Sequence, residues 1–233
     1  MPRRLLLISN STNHGQGYLD HVLPEIDQFL GSVRRLVFIP FALKDREGYG
    51  AKAAERLAAI GVQVRTLTAD EAGQRLVRDA EAVFTGGGNT FRLLKTLQDS
   101  GLLSILREKA LAGMPYIGSS AGTNIAAPTI RTTNDMPIVQ PASFEALELV
   151  PFQINPHYLD PDPGSTHMGE TREQRLKEFH EENETPVVGI REGAWIRVEG
   201  DHAALGGARG ARIFRRGAEP EERETGTSLD DLL

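Results

Sequence analysis

The chain has 233 residues, 39% of them hydrophobic and 25% charged, enough to bury a core without a disulfide, a metal or a partner. It contains no cysteine, which excludes a disulfide framework, thiolate zinc sites, iron-sulfur clusters and a cysteine nucleophile, so covalent chemistry must run through oxygen or nitrogen. Its 26 Lys+Arg against 32 Asp+Glu give a formal charge of -6, with no basic run interleaved with aromatics, which argues against a nucleic-acid partner.

In chain order, short apolar runs alternate with helical patterns: 5–9 then 18–30, 36–41 then 51–60, 62–67 then 71–79. The rhythm continues with 82–85 before 90–100, a helix over 103–112, then 115–117 before 121–126. This is the βαβ signature of a doubly wound α/β domain with a mostly parallel sheet. Leu5-Leu6-Leu7-Ile8 and Leu36-Val37-Phe38-Ile39 are continuously apolar, as expected where helices cover both faces of a strand. No apolar run nears the roughly 18 residues of a membrane span, and Leu5–Ile8 is too short for a secretory signal, so a cytoplasmic protein with no membrane partner is expected. Pro-, Asn- and Asp-rich segments over 129–169 read as long loops that line a site. A helix over 171–182 follows, then a strand over 186–190 and a hairpin of 195–198 with 203–205 around Glu199-Gly200-Asp201. The domain is taken as residues 1–217, and the acidic stretch 218–233 as a flexible, solvated tail.

Gly118-Ser119-Ser120-Ala121-Gly122 matches the G-x-S-x-G nucleophile elbow and lies after a strand and at the start of a helix, where an elbow needs to lie. A Ser and Gly turn that merely caps the next helix gives the same five letters. Thr85-Gly86-Gly87-Gly88-Asn89-Thr90 also lies between a strand and a helix, but it lacks the P-loop lysine and the spacing of a dinucleotide turn. Beside the elbow it makes sense as an oxyanion loop, with the Gly88 and Ala121 N–H groups as the two donors. Serine needs an adjacent base. Of six histidines, His157 in Gln153-Ile154-Asn155-Pro156-His157 is preferred because it follows a short apolar run reaching the same edge. Glu192, in Ile190-Arg191-Glu192-Gly193, is the choice to orient the imidazole, with Asp135 as its rival.

These segments together resemble peptidase E, the aspartyl dipeptidase family of serine peptidases. The likeness runs through Leu7-Ile8-Ser9-Asn10-Ser11-Thr12, Phe38-Ile39-Pro40-Phe41-Ala42, Gly86-Gly87-Gly88-Asn89-Thr90-Phe91, the run 130–139, Gln153-Ile154-Asn155-Pro156-His157 and Gly169-Glu170-Thr171-Arg172-Glu173-Gln174-Arg175. The resemblance implies a flavodoxin-like or amidotransferase-like sheet, a triad falling on Ser120, His157 and Glu192, and cleavage of dipeptides that begin with aspartate. It also puts Arg172 near the substrate, where a guanidinium fork suits the aspartate carboxylate, with Arg131, Asp135 and Asn89 as further substrate-binding candidates. Ser119 departs from the family pattern, which has Trp beside the nucleophile, and this bears on the fit of the substrate.

Three other readings compete: a metal hydrolase built on His157, Asp160, Asp162, His167 and Glu170; a cyanophycinase-like β-aspartyl peptidase; and a non-catalytic small-molecule binding module on the same fold. The preferred reading requires no cofactor and no metal, expects a small peptide as its partner and leaves a homodimer open.

Overall fold

The computed structural model describes residues 3–162, 164, 166 and 169–233. Five strands form the parallel part of the main sheet: β1 (Arg4–Ile8), β2 (Arg35–Ile39), β3 (Gln63–Thr66), β4 (Val83–Thr85) and β5 (Tyr116–Ser119). The hairpin strands β8 (Ala194–Glu199) and β9 (His202–Gly207) extend it antiparallel beyond β1, giving the order β3-β2-β4-β5-β1-β8-β9. The α/β class, the mostly parallel sheet and the late hairpin are thus as the sequence indicates.

The continuous apolar runs have the expected cause. In β1, Leu5 and Leu7 pack into a core on one face of the sheet while Leu6 and Ile8 pack into a second core on the other. Helices α1 (Leu23–Leu30) and α2 (Arg46–Ala58) supply Ile26, Phe29, Ala53 and Leu57 to the second core. Helices α3 (Glu71–Arg78), α4 (Thr90–Asp99) and α5 (Leu102–Leu111) supply Val77, Leu93, Leu97 and Leu106 to the first. Each of the larger of these side chains, removed from water, contributes roughly 1.5–3 kcal/mol. Helix α1 starts later than its periodicity suggests because Pro24 lies in its first turn, where a missing N–H costs nothing. At the far edge, β3 is short and mostly exposed, which suits an unpaired strand edge.

A second sheet was not visible in the sequence. It runs β11-β10-β7-β6, from β6 (Gln153–Tyr158), β7 (Val187–Arg191), β10 (Ala211–Phe214) and β11 (Glu221–Arg223). Helix α7 (Arg172–Glu182) opens on a capping box, in which Thr171 accepts from the Gln174 N–H and the Gln174 side chain accepts from the Thr171 N–H; the Glu173–Lys177 pair closes at 2.9 Å.

The expectation of a solvated tail from Ala218 is corrected by the structure. β11 pairs with β10, Leu229 is fully buried, and its N–H donates to the Ala203 carbonyl at 2.8 Å. The acidic residues of this stretch are neutralised locally: Arg215 and Arg223 each reach Asp231 at 2.9 Å. The apolar residues at its end outweigh its charge, and the segment covers the outer edge of β9. No helix among the described residues is long and apolar enough to cross a membrane.

Candidate active site

Strand β5 ends at Ser119 and the four-residue helix α6 (Ala121–Asn124) begins directly after Ser120. Between them Ser120 adopts φ 53° and ψ -110°, a left-handed region that an L residue enters only under compulsion. The compulsion is local. The Ser120 N–H donates to the Ile8 carbonyl at 3.0 Å, and the Thr123 hydroxyl donates to the same oxygen at 2.7 Å. A Cβ on Gly122 would overlap the Thr85 carbonyl, and one on Gly118 would lie 2.5 Å from the Gly122 carbonyl, so both glycines of the elbow are required by close approach.

His157 reaches the serine from the other sheet. Among the described residues strand β6 pairs with β7 on one side and with no strand on the other, an edge position where the missing N–H of Pro156 is harmless. The register slips between Pro156 and Tyr158, and His157 in the bulge has φ 54°. Such a bulge re-aims a side chain out of the pleat. The ring then bridges two partners: Nε2 lies 2.9 Å from Ser120 Oγ, and Nδ1 lies 2.7 Å from Glu192 Oε1. Glu192 follows β7 at the turn into β8, between the two sheets. The structure therefore brings Ser120, His157 and Glu192 into one hydrogen-bonded chain. One part of the sequence reading needs correction: His157 belongs to the second sheet and not to the edge of the main one.

The end of β1 holds all three. Ser9, fully buried, donates from Oγ to the Ile190 carbonyl at 2.9 Å and accepts from the His157 N–H at 2.9 Å. The Ser9 N–H donates to the Ala194 carbonyl at 3.0 Å, and Asn10 Oδ1 accepts from the Gly193 N–H at 2.8 Å. Ile8, Ser9 and Asn10 thus fasten the elbow, the bulge and the Glu192 turn to one strand end. The partners they hold are mostly backbone groups of distant segments, and the signal in the sequence was a polar Ser-Asn-Ser-Thr run after the first strand.

The glycine loop abuts Ser120: a Cβ on Gly87 would lie 3.0 Å from Ser120 Cβ. The Gly86, Gly87 and Asn89 N–H groups are taken by the Ile39 carbonyl, the Tyr49 hydroxyl and the Ala42 carbonyl, respectively. The N–H groups of Gly88 and Ala121 make no hydrogen bond among the described residues. Gly88 has φ 131°, and a Cβ there would meet the Ala42 carbonyl at 2.8 Å, so the loop conformation that presents its N–H is open to glycine.

The remaining predicted residues are dispersed. Asn89 caps α4, accepting from the Arg92 N–H at 3.0 Å and donating to the Met136 carbonyl at 2.8 Å. Asp135 accepts from the Thr90 N–H at 2.7 Å. Arg131 lies over the Phe144 ring, 5.3 Å from its centroid, and lines a different cavity from Ser120. Arg172 is half-buried and makes no ion pair among the described residues; burial, and after it the Arg175 charge, lower its pKa, while the Asp135 carboxylate opposes them. Ser119 is fully buried, its Oγ has no hydrogen-bond partner among the described residues, and it does not line the Ser120 cavity.

None of the other described histidines joins this chain of bonds. His180 faces the Asn183 carbonyl and His202 faces Asp230, while the ring nitrogens of His21 are buried. Of the metal reading, Asp160 is held by Arg191 at 2.7 Å, Asp162 accepts from the Gly164 N–H and Glu170 pairs with Arg175; His167 lies outside the described residues. No cluster of three metal-ligating side chains occurs among the described residues.

Residues 5–206 match the model of peptidase family S51. The chain belongs to this family. Among its relatives, Peptidase E of Streptomyces coelicolor is 59% identical over 231 residues, covering 98% of this chain and 94% of that protein. A Drosophila melanogaster protein named "Probable alpha-aspartyl dipeptidase" is 48% identical over 234 residues, covering 99% and 98%. A crystal structure of a peptidase from an acI-B1 Actinobacterium superposes with a TM-score of 0.74 at 19% identity, covering 98% and 97%, and at that identity it speaks for the shared fold alone. As a member of family S51 this chain is a serine peptidase.

Proposed function

We propose that this S51 member hydrolyses dipeptides with N-terminal aspartate, using Ser120 as nucleophile, His157 as general base and acid, and Glu192 to hold the imidazole. The observation that carries the reading is the unbroken chain Glu192–His157–Ser120 at 2.7 and 2.9 Å. In this reading His157 Nε2 takes the proton of Ser120 Oγ as the oxygen attacks the scissile carbonyl carbon. The Gly88 and Ala121 N–H groups receive the oxyanion. His157 then returns the proton to the departing amine, and water, deprotonated by the same imidazole, releases aspartate from the acyl-enzyme.

Specificity for aspartate needs a local cation because the protein's net charge of -6 repels an acidic substrate. Arg172 supplies it, since its guanidinium has no ionic partner of its own among the described residues and suits a carboxylate bidentately. The carboxylate of Asp135, tied to the first turn of α4, opposes the lowering of the Arg172 pKa by burial and by Arg175 and so helps keep it charged. The relatives' names, Peptidase E and alpha-aspartyl dipeptidase, support this choice of substrate. A chain without cysteine has no need of an oxidising compartment, and we place the activity in the cytoplasm.

The test compares α-Asp-Leu, β-Asp-Leu and Ala-Leu. Wild-type enzyme should cleave α-Asp-Leu far faster than the other two, and Arg172→Ala should erase at least about tenfold of the preference over Ala-Leu. Preferential cleavage of the β-linked peptide would overturn the assigned linkage, and an unchanged preference in Arg172→Ala would remove Arg172 from the role.

A further inference from the structure

The proposed dipeptide substrate carries two carboxylates, and Arg172 answers only one. The second is the free carboxylate of the leaving residue, two bonds from the scissile nitrogen, so it must lie inside or beside the cavity that holds Ser120. This cavity has a volume of about 550 Å³, within the roughly 300–1,000 Å³ of small-molecule sites, and Tyr18, Tyr49, Lys52, Gly87 and Gly88 line it together with Ser120.

Lys52 is the one lysine or arginine among its described lining residues, and no carboxylate approaches its Nζ within 4 Å among them. The Nζ lies 4.8 Å from the centroid of the Tyr18 ring, so the ammonium rests over an aromatic face. Asp45, the acidic residue of the same cavity, has its carboxylate turned to α2, where Oδ1 accepts from the Gly48 N–H at 2.9 Å as the helix cap. A cation without a carboxylate partner among the described residues, lining the same cavity as Ser120 in a protein with net charge -6, is a site for an anion.

Its mounting links it to the reacting centre. Tyr49 and Lys52 lie three residues apart on α2, hence on one face of the helix, and the buried Tyr49 hydroxyl accepts from the Gly87 N–H at 2.8 Å. One helix therefore fixes the glycine loop beside Ser120 and presents the ammonium to the same space.

We propose that Lys52 binds the terminal carboxylate of the leaving residue, and that this contact confines the enzyme to dipeptides. In a tripeptide the anion is replaced by a neutral peptide bond, which leaves Lys52 unanswered. The proposal rests on the dipeptidase reading above and adds its second anchor.

The experiment measures kcat/KM for Asp-Leu and for Asp-Leu-amide, which differ only in the terminal charge, in wild type, Lys52→Met and Lys52→Arg. Wild type should favour the free acid by about tenfold or more, the scale of a charge-assisted hydrogen bond. The ratio should fall to near one in Lys52→Met and return in Lys52→Arg. A wild-type ratio near one, or a Lys52→Met ratio equal to that of wild type, would overturn the subsite alone. Failure of wild type to cleave either compound would overturn the dipeptidase reading and the subsite with it.

Discussion

The main sheet and the second sheet are built on different principles, and the site lies where they meet. In the main sheet, β1, β2, β4 and β5 are buried on both faces, and the elbow with Ser120 extends one of them. The second sheet is smaller, has mixed pairing and carries its histidine in a bulge at an edge. The main sheet carries Ser120 on a strained turn; the second carries the His157 ring, and Glu192 lies on the turn that leads from one sheet to the other. Strain in both is evident at single residues, since Ser120 and His157 have φ of 53° and 54°. A non-glycine residue held there costs on the order of 1–3 kcal/mol, which the surrounding contacts must offset.

The sharpest way to break the comparison is to remove one side of the junction at a time. If the two sheets contribute a single catalytic unit, Ser120→Ala and His157→Ala should each lower kcat by roughly 10⁴-fold or more, and the double variant should be no worse than either single one. Additive losses, measured with the same substrate by steady-state kinetics, would show two independent contributions. Glu192→Gln keeps the shape behind His157 and removes the charge that stabilises the imidazolium, and a loss of about 10²–10⁴-fold in kcat is expected.

A smaller effect sharpens the role of the strand end that joins the sheets. Ser9→Ala removes one acceptor and one donor, leaving the His157 N–H and the Ile190 carbonyl without their partner. Stability should fall by about 1–3 kcal/mol, read by urea unfolding. If Ser9 positions the bulge, kcat of the folded variant should fall while KM stays near the wild-type value. A variant that loses only stability would reduce Ser9 to a structural link.

The same contrast explains what could be read from the amino acids. Runs such as Leu5–Ile8 declare a buried parallel strand because every residue is apolar, and the G-x-S-x-G pattern after Tyr116-Ile117 declares a turn at its end. The pairing of β6 with β7 and of β10 with β11 leaves no such mark. The strand over 186–190 is legible, but β6 contains Pro156 and β11 reads Glu221-Glu222-Arg223, so composition points to loop and tail for these two. Their order comes from partners distant in sequence, such as Leu229 docking on β9 and Arg191 gathering Asp160 and Glu222. His157 was legible from the apolar run that precedes it and Glu192 from its place after a strand, and the resemblance to a known family agreed with both over the rival Asp135. Asn89 and Asp135, read as ligand contacts, carry the opening of α4, because the hydrogen bonds that cap a helix use the same side chains as a polar pocket.

The smallest effect concerns how the second sheet is held beside Glu192. Arg191, next in sequence, donates from Nε and Nη2 to the two oxygens of Asp160, each at 2.7 Å, and also reaches Glu222 at 2.9 Å. The hydrogen bond from Arg191 holds the Asp160 carboxyl below its ordinary pKa, with partial burial opposing it. A carboxylate with a depressed native pKa stabilises the fold above the unfolded value of about 3.9, and the contribution disappears as pH falls through the native value. Asp160 is half exposed and screened by solvent, so its pair should contribute under about 1 kcal/mol. Asp160→Asn should therefore lower the melting temperature slightly at neutral pH, and the gap to wild type should narrow as pH falls below about 4. A gap that stays constant with pH would assign the effect to lost hydrogen-bond geometry, and the Arg191–Asp160 charge pair would then have no part in fastening the second sheet to the site.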